Sequence, residues 1–178
     1  MNWVAFYSHT GNEIAQLSLR LGRWPELVVT NQEKQTTASK VIKENTLLYN
    51  TNKSPTVEEY IKLLHPYWTG CNNNELTVTL HGWMRIIPPE ICDVYDIYNL
   101  HPGLITKYPE LKGKDPQCRI TEEHDYIGCV IHDVISEVDS GNIISEYCTR
   151  RESLNDNNKV LKSIASNMWY DLLKYKLC

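Results

Sequence analysis

Short apolar runs alternate along this chain with stretches whose apolar positions recur every three or four residues, the pattern of strands with helices between them. Trp3-Val4-Ala5-Phe6-Tyr7 is a continuous apolar run ending at Ser8-His9-Thr10-Gly11-Asn12. Ile14, Leu17 and Leu21 follow at helical spacing, and Gly22 supplies a left-handed cap. Leu27–Thr30 predicts a second strand, Asn31–Thr37 a polar connection, Ala38–Glu44 a short helix and Thr46–Tyr49 a third strand. Thr56-Val57-Glu58-Glu59 has the spacing of a capping box and opens a helix with Val57, Tyr60, Ile61 and Leu64 on one side, which Pro66 ends. Cys71–Asn74 predicts a loop, Leu76–Leu80 a fourth strand, and Pro88-Pro89-Glu90 the start of a short helix through Ile91 and Val94.

The strand predicted next, Asp96–Leu100, is followed by a long connection, Gly103–Tyr126, rich in proline, glycine and charge. Connections of that length in a domain are usually functional or mobile. A strand at Gly128–Val134, a turn at Asp139–Gly141 and a run Ile143–Tyr147 lie so close in sequence that they pair antiparallel. From Ser153 a last helix places Leu161, Ile164, Ala165, Met168, Leu172 and Tyr175 on one face. The pattern predicts one α/β domain over residues 1–178: a Rossmann-like, mostly parallel sheet with right-handed crossovers, an antiparallel strand pair near the C-terminal end, and helices on both faces.

Composition narrows the function classes. The 178 residues carry a net charge of −4 and no basic stripe, which disfavours nucleic acid as a partner. The six cysteines form no C-x-x-C pair and show no ligand spacing with histidine, so no metal is expected. Met1-Asn2-Trp3-Val4 runs into a strand without the pattern of a signal peptide, and no apolar run has the length of a membrane span. A cytoplasmic protein with reduced thiols and no membrane partner is the expectation, as a monomer or homodimer.

Chemistry concentrates between Asn99 and Asp139. Asn99 and His101 are two apart at the carboxyl end of a strand, so they share a side, and Pro102-Gly103 breaks the strand just beyond them. Asp139 follows another strand and reaches the same crevice if the two strands are neighbours. An amide donor, an imidazole and a carboxylate can stabilise an oxyanion and move a proton. Each also has an ordinary structural use: an Asn before a turn bonds its own backbone, a His packs, and Asp-Ser-Gly makes a turn. Likewise Ser8, Thr10, Gly11 and Asn12 form either an anion-friendly corner at a helix N-terminus or simply a tight strand-to-helix turn.

Asn99, His101, Pro102, Leu104, Tyr108 and Pro109, followed by Gly128, His132, Asp139 and Gly141, resemble the motifs of the folate-dependent formyltransferases, above all those acting on glycinamide ribonucleotide. Upstream, Leu80-His81-Gly82-Trp83-Met84-Arg85-Ile86-Ile87-Pro88 resembles the segment beside their folate site. The resemblance spans most of residues 1–150. It implies 10-formyltetrahydrofolate as cosubstrate, held by Trp83, Met84, Arg85, Ile86 and Ile87 and by Ile135, Ser136, Glu137 and Val138. It implies Asn99 and a protonated His101 as oxyanion donors, with Asp139 holding His101 charged or relaying protons through water, and His132 in support. The acceptor is then a small-molecule amine, glycinamide ribonucleotide-like or an amino sugar or nucleotide, bound by Ser8, Thr10, Gly11, Asn12 and Pro102.

The match thins at the acceptor. Asn12 and Glu13 stand where the family has a Ser-Asn pair, and a carboxylate there repels phosphate while suiting the helix dipole. No acidic residue of the C-terminal region answers to the family's amine-binding acid, for which Ser163–Asn167 is the place to look, and Arg150 and Arg151 are candidates to face an anionic acceptor. Hydrolysis of 10-formyltetrahydrofolate and a non-catalytic folate-binding module are the alternative functions. Retention of Asn99, His101 and Asp139 together argues against the module, which needs none of them.

Overall fold

Alternate residues of the first strand, β1 (Asn2–Tyr7), feed two separate cores. Trp3, Ala5 and Tyr7 face one, Val4 and Phe6 the other, and all five are buried. That is why the segment reads as one apolar run: a central strand covered on both faces has no polar side to show. The computed structural model describes residues 1–51, 53–68, 76–154 and 156–177. The loop expected at Cys71–Asn74 lies outside the described residues.

Seven strands, β1, β2 (Leu27–Thr30), β3 (Leu47–Asn50), β4 (Leu76–His81), β5 (Ile97–His101), β6 (Tyr126–Asp133) and β7 (Ile143–Arg150), form one sheet in the order β3-β2-β1-β4-β5-β6-β7. β3 to β5 pair in parallel, whereas β6 runs antiparallel to both neighbours. Between β1 and β4 the direction of winding reverses. Such a switch point opens a crevice at the strands' carboxyl ends, where the turn Ser8–Gly11 and the segment Gly82–Ile87 follow β1 and β4.

Helices α1 (Asn12–Leu21), α2 (Thr37–Asn45) and α5 (Asn157–Leu177) supply the first core, and α3 (Val57–Leu64) and α4 (Pro89–Cys92) the second. Gly22 ends α1 at φ 66°, and Thr56 with Glu59 closes both halves of a capping box on α3. A second capping box, Thr36 with Ser39, starts α2 one residue earlier than the apolar spacing indicates. Two residues depart from their expected faces. Ile61 of α3 is exposed while Leu63 packs inward, and Tyr175 of α5 is 82% exposed. On α5 the apolar stripe instead includes Trp169 and Leu173, both fully buried.

Candidate active site

β5 and β6 are neighbours, so Asn99 stands directly opposite His132 in the antiparallel register. Asn99 Nδ2 lies 3.3 Å from His132 Nε2, and His132 Nδ1 donates to the Asp133 carbonyl at 2.7 Å. That bond leaves Nε2 free to accept from Asn99 or, when protonated, to donate to Asp139 Oδ1 at 3.4 Å. His101 Nδ1 lies 3.2 Å from Asp139 Oδ2. The four side chains thus form one cluster at the carboxyl end of β5.

Asp139 reaches it through an unusual backbone. Its φ is 52°, the left-handed region that a non-glycine residue enters at a cost and that clusters at functional sites. Burial by itself raises the carboxyl pKa. Hydrogen bonds from His101 and His132, the charge on His101 and the Gly113 amide overcome that and hold the carboxyl well below the ordinary carboxylate range.

Two backbone partners complete the cluster, and neither has a sequence signature. The Gly113 N–H donates to Asp139 Oδ2 at 2.8 Å, and the Leu111 carbonyl accepts from His101 Nε2 at 2.8 Å. A carbonyl and a carboxylate only accept, so this is the setting of a doubly protonated ring. The ring lines the cleft and brings its charge, while both N–H groups already have partners. Arg119 fixes the loop by donating to the carbonyls of Glu110 at 2.6 Å, Leu111 at 2.9 Å and Lys112 at 2.8 Å.

The cluster sits in the wall of a cleft of about 460 Å³. Trp83, Met84, Arg85, Ile86 and Ile87 line it together with Ile135, Ser136, Glu137 and Val138 and with Pro102. Trp83 and Ile87 are core residues as well, whereas Ile86 is 72% exposed and Val138 55%. Exposed apolar side chains gathered around a cleft mark a surface that a ligand covers.

A second cavity of about 480 Å³ shares His9, Gly82, Leu100, Pro102 and Gln117 with the first. Thr10, Gly11 and Asn12 line it. Ser8 lines neither: its hydroxyl accepts from the Met84 amide at 2.9 Å, tying the two loops together. Ala165 and Ser166 of α5 are in its wall without any acid from that helix. The carboxylate there belongs to Glu13, 2.6 Å from His81 Nδ1, a pair that sequence reasoning missed because its members are 68 residues apart. Arg151 lines neither cavity. It donates through Nε to the His124 carbonyl at 2.8 Å and through a second nitrogen to that of Glu122 at 3.2 Å, so it fastens a loop.

Among the described residues no helix is long and apolar enough to cross a membrane. Sheet order and switch-point crevice put the side-chain cluster where open α/β sheets bind their ligands, at the carboxyl ends of parallel strands. The sequence matches the formyl transferase family over residues 18–163, and the chain belongs to that family; it is a formyltransferase. No curated protein matches the sequence significantly. Among solved structures, the phosphoribosylglycinamide formyltransferase of Streptococcus pneumoniae TIGR4 is similar at TM-score 0.79 and 19% identity, covering 99% of both chains. That of Campylobacter jejuni subsp. jejuni NCTC 11168 is similar at 0.77 and 20%, over 100% of this chain and 98% of its own. A formyltetrahydrofolate deformylase from Pseudomonas syringae pv. tomato str. DC3000 follows at 0.70 and 18%, over 93% of this chain and 58% of its own. At these identities the likeness is one of fold.

Proposed function

We propose that the protein moves a formyl group from 10-formyltetrahydrofolate to the primary amine of a small metabolite, with Asn99, His101 and Asp139 as the reacting cluster. The observation that carries this reading is the convergence of those three side chains in a cleft that shares walls with a second cavity. Transfer needs two adjacent sites, one for donor and one for acceptor. A fold kept only for binding needs one.

The first cleft fits the cosubstrate on its own terms. Its volume is in the range of small-molecule sites, and Met84, Ile86, Ile135 and Val138 present apolar surface to a flat ring. The cosubstrate supplies an activated formyl carbon. Asn99 carries a second amide N–H beyond the one facing His132, and it donates to the oxygen that gains negative charge as the amine adds. A preorganised donor of this kind is worth about 3 to 4 kcal/mol of barrier. His101, held between Asp139 and the Leu111 carbonyl, adds positive charge beside that oxygen.

Protons must move twice. The attacking ammonium gives up one to solvent to become nucleophilic, and a second passes from its nitrogen to the departing folate nitrogen. Asp139, its pKa held down, stays ionised in the cleft wall and orients a water that carries the proton between those positions. The test is to mix the protein with 10-formyltetrahydrofolate and follow tetrahydrofolate release with and without primary amines. Amine-dependent release is the expected result. Release at the same rate without amine marks a hydrolase, and saturable binding without release marks a folate-binding module.

A further inference from the structure

Resting on the transfer reading, we infer that the second cavity takes a small hydroxylated primary amine without a phosphate, and that Glu13 is the carboxylate that binds its ammonium. Glu13 is the one acidic residue among the described residues lining that cavity, and its side chain is 36% exposed. Behind it stands a chain of hydrogen bonds. The Trp3 indole N–H donates to Thr79 Oγ1 at 2.8 Å, and Thr79 Oγ1 is 2.9 Å from His81 Nε2. The Thr79 hydroxyl thus links the Trp3 indole to the His81 ring.

His81 Nδ1 lies 2.6 Å from Glu13 Oε2, so its N–H donates to the carboxylate. The imidazole orients the carboxylate, and the Trp169 ring, 4.8 Å from His81 between centroids, packs beside the pair. Glu13 brings the negative charge of the pair. Its position in the first turn of α1 favours that charge through the helix dipole.

The same position works against a phosphate. The Asn12 N–H faces Thr10 Oγ1 at 3.3 Å, and Glu13 occupies the next place on the turn. Lys162, exposed on α5, is the single Lys or Arg in the wall. One lysine across from a fixed carboxylate does not make a dianion site. Apart from the His9 imidazole, the remaining polar lining is amide and hydroxyl, among it Gln16, Gln117, Asn158 and Ser166, which suits sugar-like hydroxyl groups.

Isothermal titration of the protein with glucosamine, glucosamine 6-phosphate and N-acetylglucosamine tests this. Glucosamine is expected to bind saturably, and both the phosphorylated and the acetylated compound at least tenfold more weakly. Glu13→Gln keeps an oxygen for the His81 N–H and so keeps the fold, checked by thermal melting, yet it erases both preferences. Equal or tighter binding of the 6-phosphate, unchanged selectivity in Glu13→Gln, or no binding of glucosamine overturns the inference. Tetrahydrofolate release with a panel of other amines reports separately on transfer: release driven by another amine while glucosamine fails to bind sinks this inference and leaves the transferase reading standing.

Discussion

The amide N–H of Gly113 donates to Oδ2 of Asp139 at 2.8 Å, joining the long loop after β5 to the turn after β6. Asp139 therefore answers to two restraints at once, its own left-handed backbone and a loop 26 residues away. Converting Asp139 to Asn removes the charge while keeping the shape. Turnover is expected to fall by about two to four orders of magnitude, while folate affinity measured by fluorescence titration stays within a few fold. Near-full activity in Asp139→Asn would remove the assigned role.

The same carboxylate makes stability depend on pH in a fixed direction. Its folded-state pKa lies below the ordinary 3.8, so its contribution is complete above that value and is lost as the pH falls toward the folded value. Urea unfolding of wild type and Asp139→Asn is expected to show the wild type more stable at pH 7, with the gap narrowing steadily below about pH 4. A gap that is constant from pH 7 to pH 2 contradicts the pairing with His101 and His132.

Asn99→Ala takes away the amide without touching the core. The expected loss is about two to three orders of magnitude in kcat, with KM for folate little changed, since the donor acts on charge that develops during reaction. A change in KM alone would make Asn99 a binding residue.

Ile86 tests the cleft separately from the chemistry. It is 72% exposed, so Ile86→Asp is expected to leave the melting temperature within about 2 °C, because surface substitutions of this kind cost about 0.5 kcal/mol or less. Folate affinity is expected to drop at least tenfold. Intact affinity would place the cosubstrate elsewhere.

Gly128 answers for the β6 to β7 pairing. A Cβ there would meet the Tyr147 carbonyl oxygen at 1.9 Å and Leu104 Cδ2 at 2.7 Å, against backbone that cannot step aside. Gly128→Ala is expected to cost about 2 kcal/mol or more, read as a lower urea midpoint.

Much of the fold was legible because local signals and tertiary demands agree. The run Trp3–Tyr7, the Gly22 cap and the Thr56 to Glu59 box each name their element without help from the rest of the chain. Ile61 and Tyr175 were misplaced because helical spacing specifies a stripe, and its edges are decided by which neighbour the helix meets. In the site, Asn99 and His101 could be set side by side by strand alternation alone. The Gly113 amide and Leu111 carbonyl could not, since every residue carries the same backbone groups, and the Glu13 to His81 pair depends on β1 and β4 being neighbours.

The most direct measurement follows 10-formyltetrahydrofolate labelled with ¹³C at the formyl carbon, by NMR, in the presence of protein and a reactive amine. A formyltransferase with these three side chains at the carbon moves the label into a formamide resonance, at a rate that collapses in Asp139→Asn. Label appearing only as formate, or formamide forming as fast with Asp139→Asn as with wild type, would contradict it.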